Sequence, residues 1–381
     1  MIHLHEPIID KEDLKSLLDC YKTGWISSGG AKVKALEQQL CRVTGSKYAV
    51  ATINCTSALQ ISLMLSDVKP GNEVIVPAIS FIATINAVIY NHGSPIFMDI
   101  DDHFNLDIKK TINFLKTNTF YKSGYTYNKN TKKIIKALVI AHIFGNPANV
   151  YELNKVCREM NIKVVEDAAE SIGSYHLVNK KKLHTGIAGD FGCVSFNGNK
   201  IVTSGGGGAI LINSKILEKK IRYLINQSKD DTLFYKHKNL GFNMNMTNLH
   251  GSIGFSQLKK LNKIVKVKKK INLFYQSEIK KIKGLKITPT PKNTDSNLWL
   301  NILEIDPKVY GVNKINLMKK FIINKINVRS VWYPNHKQSF LKKYQSFQVS
   351  KAMKKYNHSI CLPSGPGLKI SELKKIINVL K

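Results

Sequence analysis

Lys200 stands in the stretch Ser195–Gly208, S-F-N-G-N-K-I-V-T-S-G-G-G-G, between two apolar runs and just ahead of four consecutive glycines. Glycines at 205 to 208 permit unusual backbone angles and close approach of another group, which sets Lys200 apart from Lys215, Lys219 and Lys220 in an ordinary helix-like segment. A lysine shielded in a pocket can lose its proton below its free pKa of about 10.4 and form a Schiff base with an aldehyde. On position alone, Lys200 also reads as a solvated surface residue.

Asp167 follows an apolar run in V-V-E-D-A-A-E-S. A carboxylate there either caps a following helix or, in a pyridoxal phosphate enzyme, pairs with the protonated pyridine nitrogen so that the ring stays an electron sink. Glu166 should point to the opposite face if strand alternation continues. The turn Asn54-Cys55-Thr56-Ser57 precedes a helix expected to start near Ala58, with Thr56 or Ser57 as the cap. The same geometry aims free backbone N–H groups and the positive helix end at a phosphate. Ser195 offers a hydroxyl for the same anion, and Phe81 either packs in the core or lays its ring on a cofactor. His142 and Asn197 are weaker candidates. No His, Cys, Asp or Glu spacing suggests a structural metal, and the G-x-G-x-x-G of a dinucleotide fold is missing.

These residues need a scaffold that gathers them. Strands are expected at Tyr48–Ile53, Glu73–Pro77, Ser94–Ile100, Ile134–Ile143 and Ile162–Val165, with helices over Ser57–Leu65, Phe81–Tyr90 and Tyr151–Met160 between them. That alternation predicts an α/β fold with a mostly parallel sheet covered on both faces, and ligands collect at the carboxyl ends of such strands. Asn54, Phe81, His142 and Asp167 all have that address. Phe191–Phe196 and Gly207–Ile212 are two further strands flanking Lys200. Phe114–Lys133, polar and lysine-rich, reads as a surface insertion. Beyond Gly254, lysine-rich helices and the runs Asn297–Ile302 and Val328–Val331 suggest a smaller mixed C-terminal domain. The expected division is 1–255, a large cofactor-binding domain carrying an N-terminal substrate-side segment, and 256–381.

With 381 residues and 43% hydrophobic content the chain can bury a full core. Its formal charge of +32 invites a nucleic-acid reading, but four of the 58 basic residues are Arg, at 42, 158, 222 and 329. Bidentate phosphate and base-edge contacts favour the guanidinium fork, so the excess of Lys suits a basic enzyme surface better than nucleic-acid recognition. Six scattered cysteines without a C-x-x-C pair read as reduced thiols of a cytoplasmic protein, and no apolar stretch is long enough to span a membrane.

Taken with T-G-W-I-S-S-G-G at Thr23–Gly30, G-N-E-V-I-V-P at Gly71–Pro77 and G-F-N-M-N-M at Gly241–Met246, these motifs resemble the sugar aminotransferases of the DegT/DnrJ/EryC1/StrS family, across nearly the whole chain. The resemblance implies the fold-type I architecture of pyridoxal 5'-phosphate enzymes, like that of aspartate aminotransferase. It implies that Lys200 holds the cofactor aldehyde, Asp167 pairs with the pyridine nitrogen, Phe81 stacks on the ring, and Cys55, Thr56 and Ser195 hold the phosphate. Asn243 would reach the neighbouring site across a homodimer. The subgroup that aminates a nucleotide-linked 4-keto-6-deoxy-hexosamine with L-glutamate, on the route to legionaminic-type surface sugars, is the nearest in pattern. H-L-H-E-P, W-Y-P-N-H at Trp332–His336, L-P-S-G-P-G at Leu362–Gly367 and Asn197 in place of a common histidine carry that likeness. Asn245 departs from the family's usual Arg and cannot supply its charge or five-donor fork. A sugar 3-aminotransferase shares the cofactor residues, whereas the family's dehydratases have histidine where Lys200 stands.

Overall fold

A computed structural model describes residues 1–231 and 233–381. Its main sheet has eight strands in the order Tyr48–Thr52, Gly208–Ile212, Phe191–Ser195, Lys163–Asp167, Ile135–Ala141, Glu73–Pro77, Ser94–Met98 and Ser346–Phe347. From Phe191–Ser195 to the Ser346–Phe347 edge every pairing is parallel. Gly208–Ile212 runs antiparallel to both neighbours. The expected mostly parallel α/β sheet is therefore present, with its reversal at the strand that follows the glycine run.

Both faces of the sheet are covered, so its strands read as short continuous apolar runs. On one face Val50, Val76, Val139, Val165, Cys193 and Ile210 pack with Leu59, Ile61, Ile85 and Val88, from the helices Cys55–Leu65 and Ile82–Tyr90. On the other, Ala51, Val194, Ala209 and Leu211 meet Leu36, Leu40 and Leu258, from the helices Ala31–Thr44 and Asn248–Lys259. Alternation along each strand sends neighbours to opposite cores.

The smaller C-terminal part has an antiparallel sheet in the order Leu285–Ile287, Asn301–Ile305, Ser359–Leu362, Arg329–Ser330. The helix Leu261–Ile279 buries Leu261, Ile264, Lys268, Ile271, Tyr275 and Ile279 at helical spacing. Two segments cross between the parts. Ile2 bridges to Ile326 and packs in the C-terminal core, while Ser346–Phe347 joins the main sheet.

Phe114–Lys133 lies largely on the surface, as expected. It opens in the last turns of the helix Ile108–Thr117, where Phe114 and Leu115 are fully buried, and continues as a hairpin, Thr119–Lys122 with Tyr125–Asn128. Beyond Leu115 its buried residues are the polar Thr119, Thr126 and Asn128, so no apolar periodicity marks it. No helix among the described residues is long and apolar enough to cross a membrane.

Candidate active site

The carboxyl ends of the parallel strands converge on a cavity of ≈ 330 Å³ whose wall includes Asn54, Phe81, His142, Asp167, Ser195 and Lys200. That volume lies in the range of small-molecule sites. Residues as far apart in sequence as Asn54 and Lys200 meet because the sheet order places their strand ends side by side.

Asp167 ends its strand, and no helix follows it to be capped. Its Oδ2 accepts the Thr84 hydroxyl at 2.6 Å and its Oδ1 the Ala169 amide at 3.2 Å. Glu166 points away, as strand alternation requires, to accept from His142 and from the amides of Gly186, Ala188 and Gly189.

Lys200 is buried, 8% exposed, and thus is no surface decoration. Its Nζ lies 4.0 Å from the Trp299 ring centroid and 3.5 Å from Oε1 of Glu170. The Trp299 indole N–H donates to the Asn199 carbonyl at 2.7 Å, which ties the Lys200 loop to its aromatic floor. The backbone around it needs glycine at one place above all. Gly207 has φ +113°, and an added Cβ would lie 2.6 Å from the Met246 methyl.

The helix over Cys55 begins three residues earlier than expected. Asn54, not Thr56 or Ser57, is the cap, with its side chain accepting the Ser57 amide at 2.8 Å. Asparagine's carbonyl reaches N3 from an extended backbone, which frees Thr56 to face the cavity. Burial pushes the Cys55 thiol well up from its ordinary value, so Cys55 offers its amide rather than a thiolate. Ser195 is buried at the same corner and Asn197 also lines the wall. Phe81 is half exposed at the rim, edge to face with Trp332 at 5.7 Å.

Asn243 is not brought into this wall; it is exposed on the strand of chain that bridges Asn226. The Asn245 amide donates to Asn226 at 3.0 Å. Three wall or support residues escaped the sequence reading: Thr84, Glu170 and Trp299. Glu170 had a signal, an acidic residue three positions after Asp167 in the quoted motif.

A model of the DegT/DnrJ/EryC1/StrS aminotransferase family matches residues 7–381. The chain belongs to that family. It is 32% identical over 389 residues to GDP-perosamine synthase of Vibrio cholerae, covering 100% of this chain and 98% of that protein. Among solved structures it resembles the aminotransferase TlmJ from Streptoalloteichus hindustanus, with TM-score 0.89, 23% identity and 100% and 98% of the two chains covered. It also resembles Helicobacter pylori PseC, an aminotransferase involved in pseudoaminic acid biosynthesis, with TM-score 0.87, 22% identity and 100% and 98% covered. The protein is an aminotransferase of the pyridoxal phosphate type, with the large mixed sheet and smaller α/β part of that fold.

The donor set fits that cofactor. One buried amine, two buried carboxylates, an aromatic rim and a helix N-terminus share a cavity. Gly208 leaves the helix end open to an anion, since a Cβ there would sit 2.5 Å from the Cys55 amide nitrogen.

Proposed function

We propose that this aminotransferase moves the amino group of L-glutamate to C4 of a nucleotide-linked 4-keto-6-deoxy-hexosamine, UDP-2-acetamido-2,6-dideoxy-4-keto-hexose being the favoured acceptor. The placement of Lys200, Asp167 and the Asn54-capped helix end in one cavity carries this reading. When bound, pyridoxal phosphate supplies the electron sink and carries the amino group between donor and acceptor. Lys200 would hold it through Nζ, then take a proton from Cα of the donor and return one to C4 of the sugar. Asp167, fixed by Thr84 and Ala169, would face the pyridine nitrogen. The amides of Cys55 and Thr56 with the Ser195 hydroxyl would receive the phosphate, and Phe81 would cover the ring.

The acceptor class is supported by GDP-perosamine synthase, whose name describes a nucleotide-linked amino sugar as product. The same likeness favours a second reading, amination of GDP-4-keto-6-deoxymannose. The legionaminic-type assignment rests on the terminal H-L-H-E-P and on Asn197 at the cavity wall. W-Y-P-N-H supports it through Trp332, which lines that wall.

A homodimer with shared sites completes the proposal. Leu14, Leu18, Tyr21, Trp25 and Ile26 are exposed near the chain start, as are Leu233, Phe234, Tyr235 and Leu240. Such apolar surface is suited to cover by a second copy, which would bring Asn243 to the neighbouring phosphate corner. Six free cysteines accord with a reducing, cytoplasmic setting.

Incubation with L-glutamate and a panel of UDP-linked and GDP-linked keto-sugars, followed by product analysis, tests the reading. A 4-amino UDP-sugar is expected; a 3-amino product or exclusive use of the GDP substrate would replace it.

A further inference from the structure

Glu170 has no part in the roles assigned above, yet it is the carboxylate nearest the reactive amine. Its Oε1 lies 3.5 Å from Lys200 Nζ, and its Oε2 accepts the Phe144 amide at 2.7 Å. Phe144 takes a left-handed backbone, φ 57°, to aim that amide, a conformation uncommon outside glycine. Asn297 donates to the Glu170 carbonyl at 2.9 Å, so both ends of the residue are fixed. Asp167, the second carboxylate here, already accepts from Thr84 and Ala169. Among the described residues, Lys200 is the cation paired with Glu170.

Resting on the cofactor site proposed above, we propose that Glu170 is a catalytic residue that accepts the proton of Lys200. Before Nζ condenses with the cofactor aldehyde, a step that expels the aldehyde oxygen and the two remaining amine hydrogens as water, the ammonium proton passes to Oε1 of Glu170. Lys200 ammonium and Glu170 carboxylate become a neutral amine and a neutral carboxylic acid, with no outside acid or base consumed. The proton then stays beside the reacting centre and is available when Nζ is released.

The surroundings favour the exchange. Burial pushes the Glu170 carboxyl up from its usual range, while the Lys200 charge and the Phe144 amide pull it down. The Asp167 charge adds to the upward push. Once the Lys200 charge is gone, the amide alone opposes burial and like-charge repulsion. The other titratable neighbours are the thiols Cys55 and Cys361, which burial pushes up, and His5 beside Lys200, which burial and the Lys268 and Lys200 charges hold well below its ordinary value, so none competes for the proton. An uncompensated buried carboxylate is costly, so loss of its cation leads to protonation.

Infrared difference spectra of the apoenzyme before and after adding pyridoxal phosphate read this directly. The wild type is expected to gain the carbonyl band of a protonated carboxyl, displaced in heavy water and by glutamate carrying a ¹³C-labelled side-chain carboxyl. Glu170→Gln, which keeps an acceptor for the Phe144 amide, is expected to lose that band. A wild-type spectrum without it, or a band that survives in Glu170→Gln or ignores the glutamate label, overturns the proposal. Borohydride reduction and peptide mapping of the same samples separate the two claims. No adduct at Lys200 defeats the cofactor site itself, whereas an adduct without the labelled band defeats the proton exchange alone.

Discussion

His142 donates its Nε2 proton to Glu166 at 2.9 Å, and the tautomer is fixed because Nδ1 accepts the Ala148 amide at 3.0 Å. Both side chains are fully buried. Glu166 also receives the amides of Gly186, Ala188 and Gly189, so it ties the 186–189 loop to the strand that ends in Asp167. Burial pushes the Glu166 carboxyl up, but His142 and the glycine amides outweigh it and hold it below its usual value. Glu166→Ala strands several buried donors at about 1–3 kcal/mol each, so urea unfolding should show a loss above about 3 kcal/mol. A depressed carboxyl contributes stability that is present above its unfolded pKa of about 4.3 and is lost as pH falls through the folded value. Glu166→Gln should therefore flatten the acid limb of the stability curve.

Gly208 bears on the phosphate corner. A Cβ there would lie 2.5 Å from the Cys55 nitrogen and 2.6 Å from the Asn54 carbonyl carbon. Both are backbone atoms at the start of the helix, so Gly208→Ala must displace the N–H groups proposed to receive phosphate. Overpacking of this kind costs about 1–3 kcal/mol, which here should appear as cofactor binding weakened on the order of tenfold or more. Spectral titration with pyridoxal phosphate should show the loss, and phosphate-free pyridoxal should show much less. Gly198→Ala is the control, since its Cβ would meet nothing nearer than 3.9 Å.

The strands and the strand-end positions of Asn54, Phe81, His142 and Asp167 were legible because short apolar runs separated by helices have few other packings. The cap at Asn54 was not, since four consecutive cap-forming or small polar residues, Asn54 to Ser57, leave the first turn ambiguous. Phe114–Lys133 was legible as surface chain from its polar composition, while Phe114 and Leu115, two buried side chains at a helix end, leave no periodicity to detect. Glu170 and Trp299 depend on a turn and a second domain that bring distant segments to Lys200, and local pattern carries neither. Asn243 stays outside the single-chain cavity, where motif resemblance, rather than any contact in this chain, is the ground for its role.

Arg222 shows what arginine does in a chain so rich in lysine. Its guanidinium meets both oxygens of Glu37 at 3.0 and 2.8 Å and Oε1 of Glu218 at 2.9 Å. Oε1 of Glu37 also accepts the Ala51 amide at 2.8 Å, joining two helices to the edge strand. Burial draws the guanidinium pKa down, but the hydrogen bonds and charges of Glu37 and Glu218 outweigh it and the net shift is upward. Lysine cannot reproduce the fork. Because the Arg222 side chain is nearly half exposed, solvent screening holds the expected loss for Arg222→Lys to about 1 kcal/mol. Glu37→Ala should cost more, since it also strands the Ala51 amide, and a double-mutant cycle by urea unfolding would resolve the coupling.

Lys268 is fully buried on the helix Leu261–Ile279, and its amine donates to the Ser364 carbonyl with no carboxylate partner among the described residues. Burial lowers its pKa to about 7. The unfolded chain then binds more protons than the folded one between about pH 7 and the free value of about 10.4, so stability rises with pH across that window. The slope approaches about 1.4 kcal/mol per pH unit from this one group. Lys268→Met keeps the stem and removes the charge, so the rise between pH 7 and 10 should shrink by that slope. At pH 7 and below, the variant should match or exceed the wild type, as replacement of a buried charge by a packed apolar group often does. Urea midpoints measured at intervals across pH 6 to 10 for both proteins test this; parallel curves would mean that the Lys268 amine keeps its ordinary affinity for a proton in the folded chain.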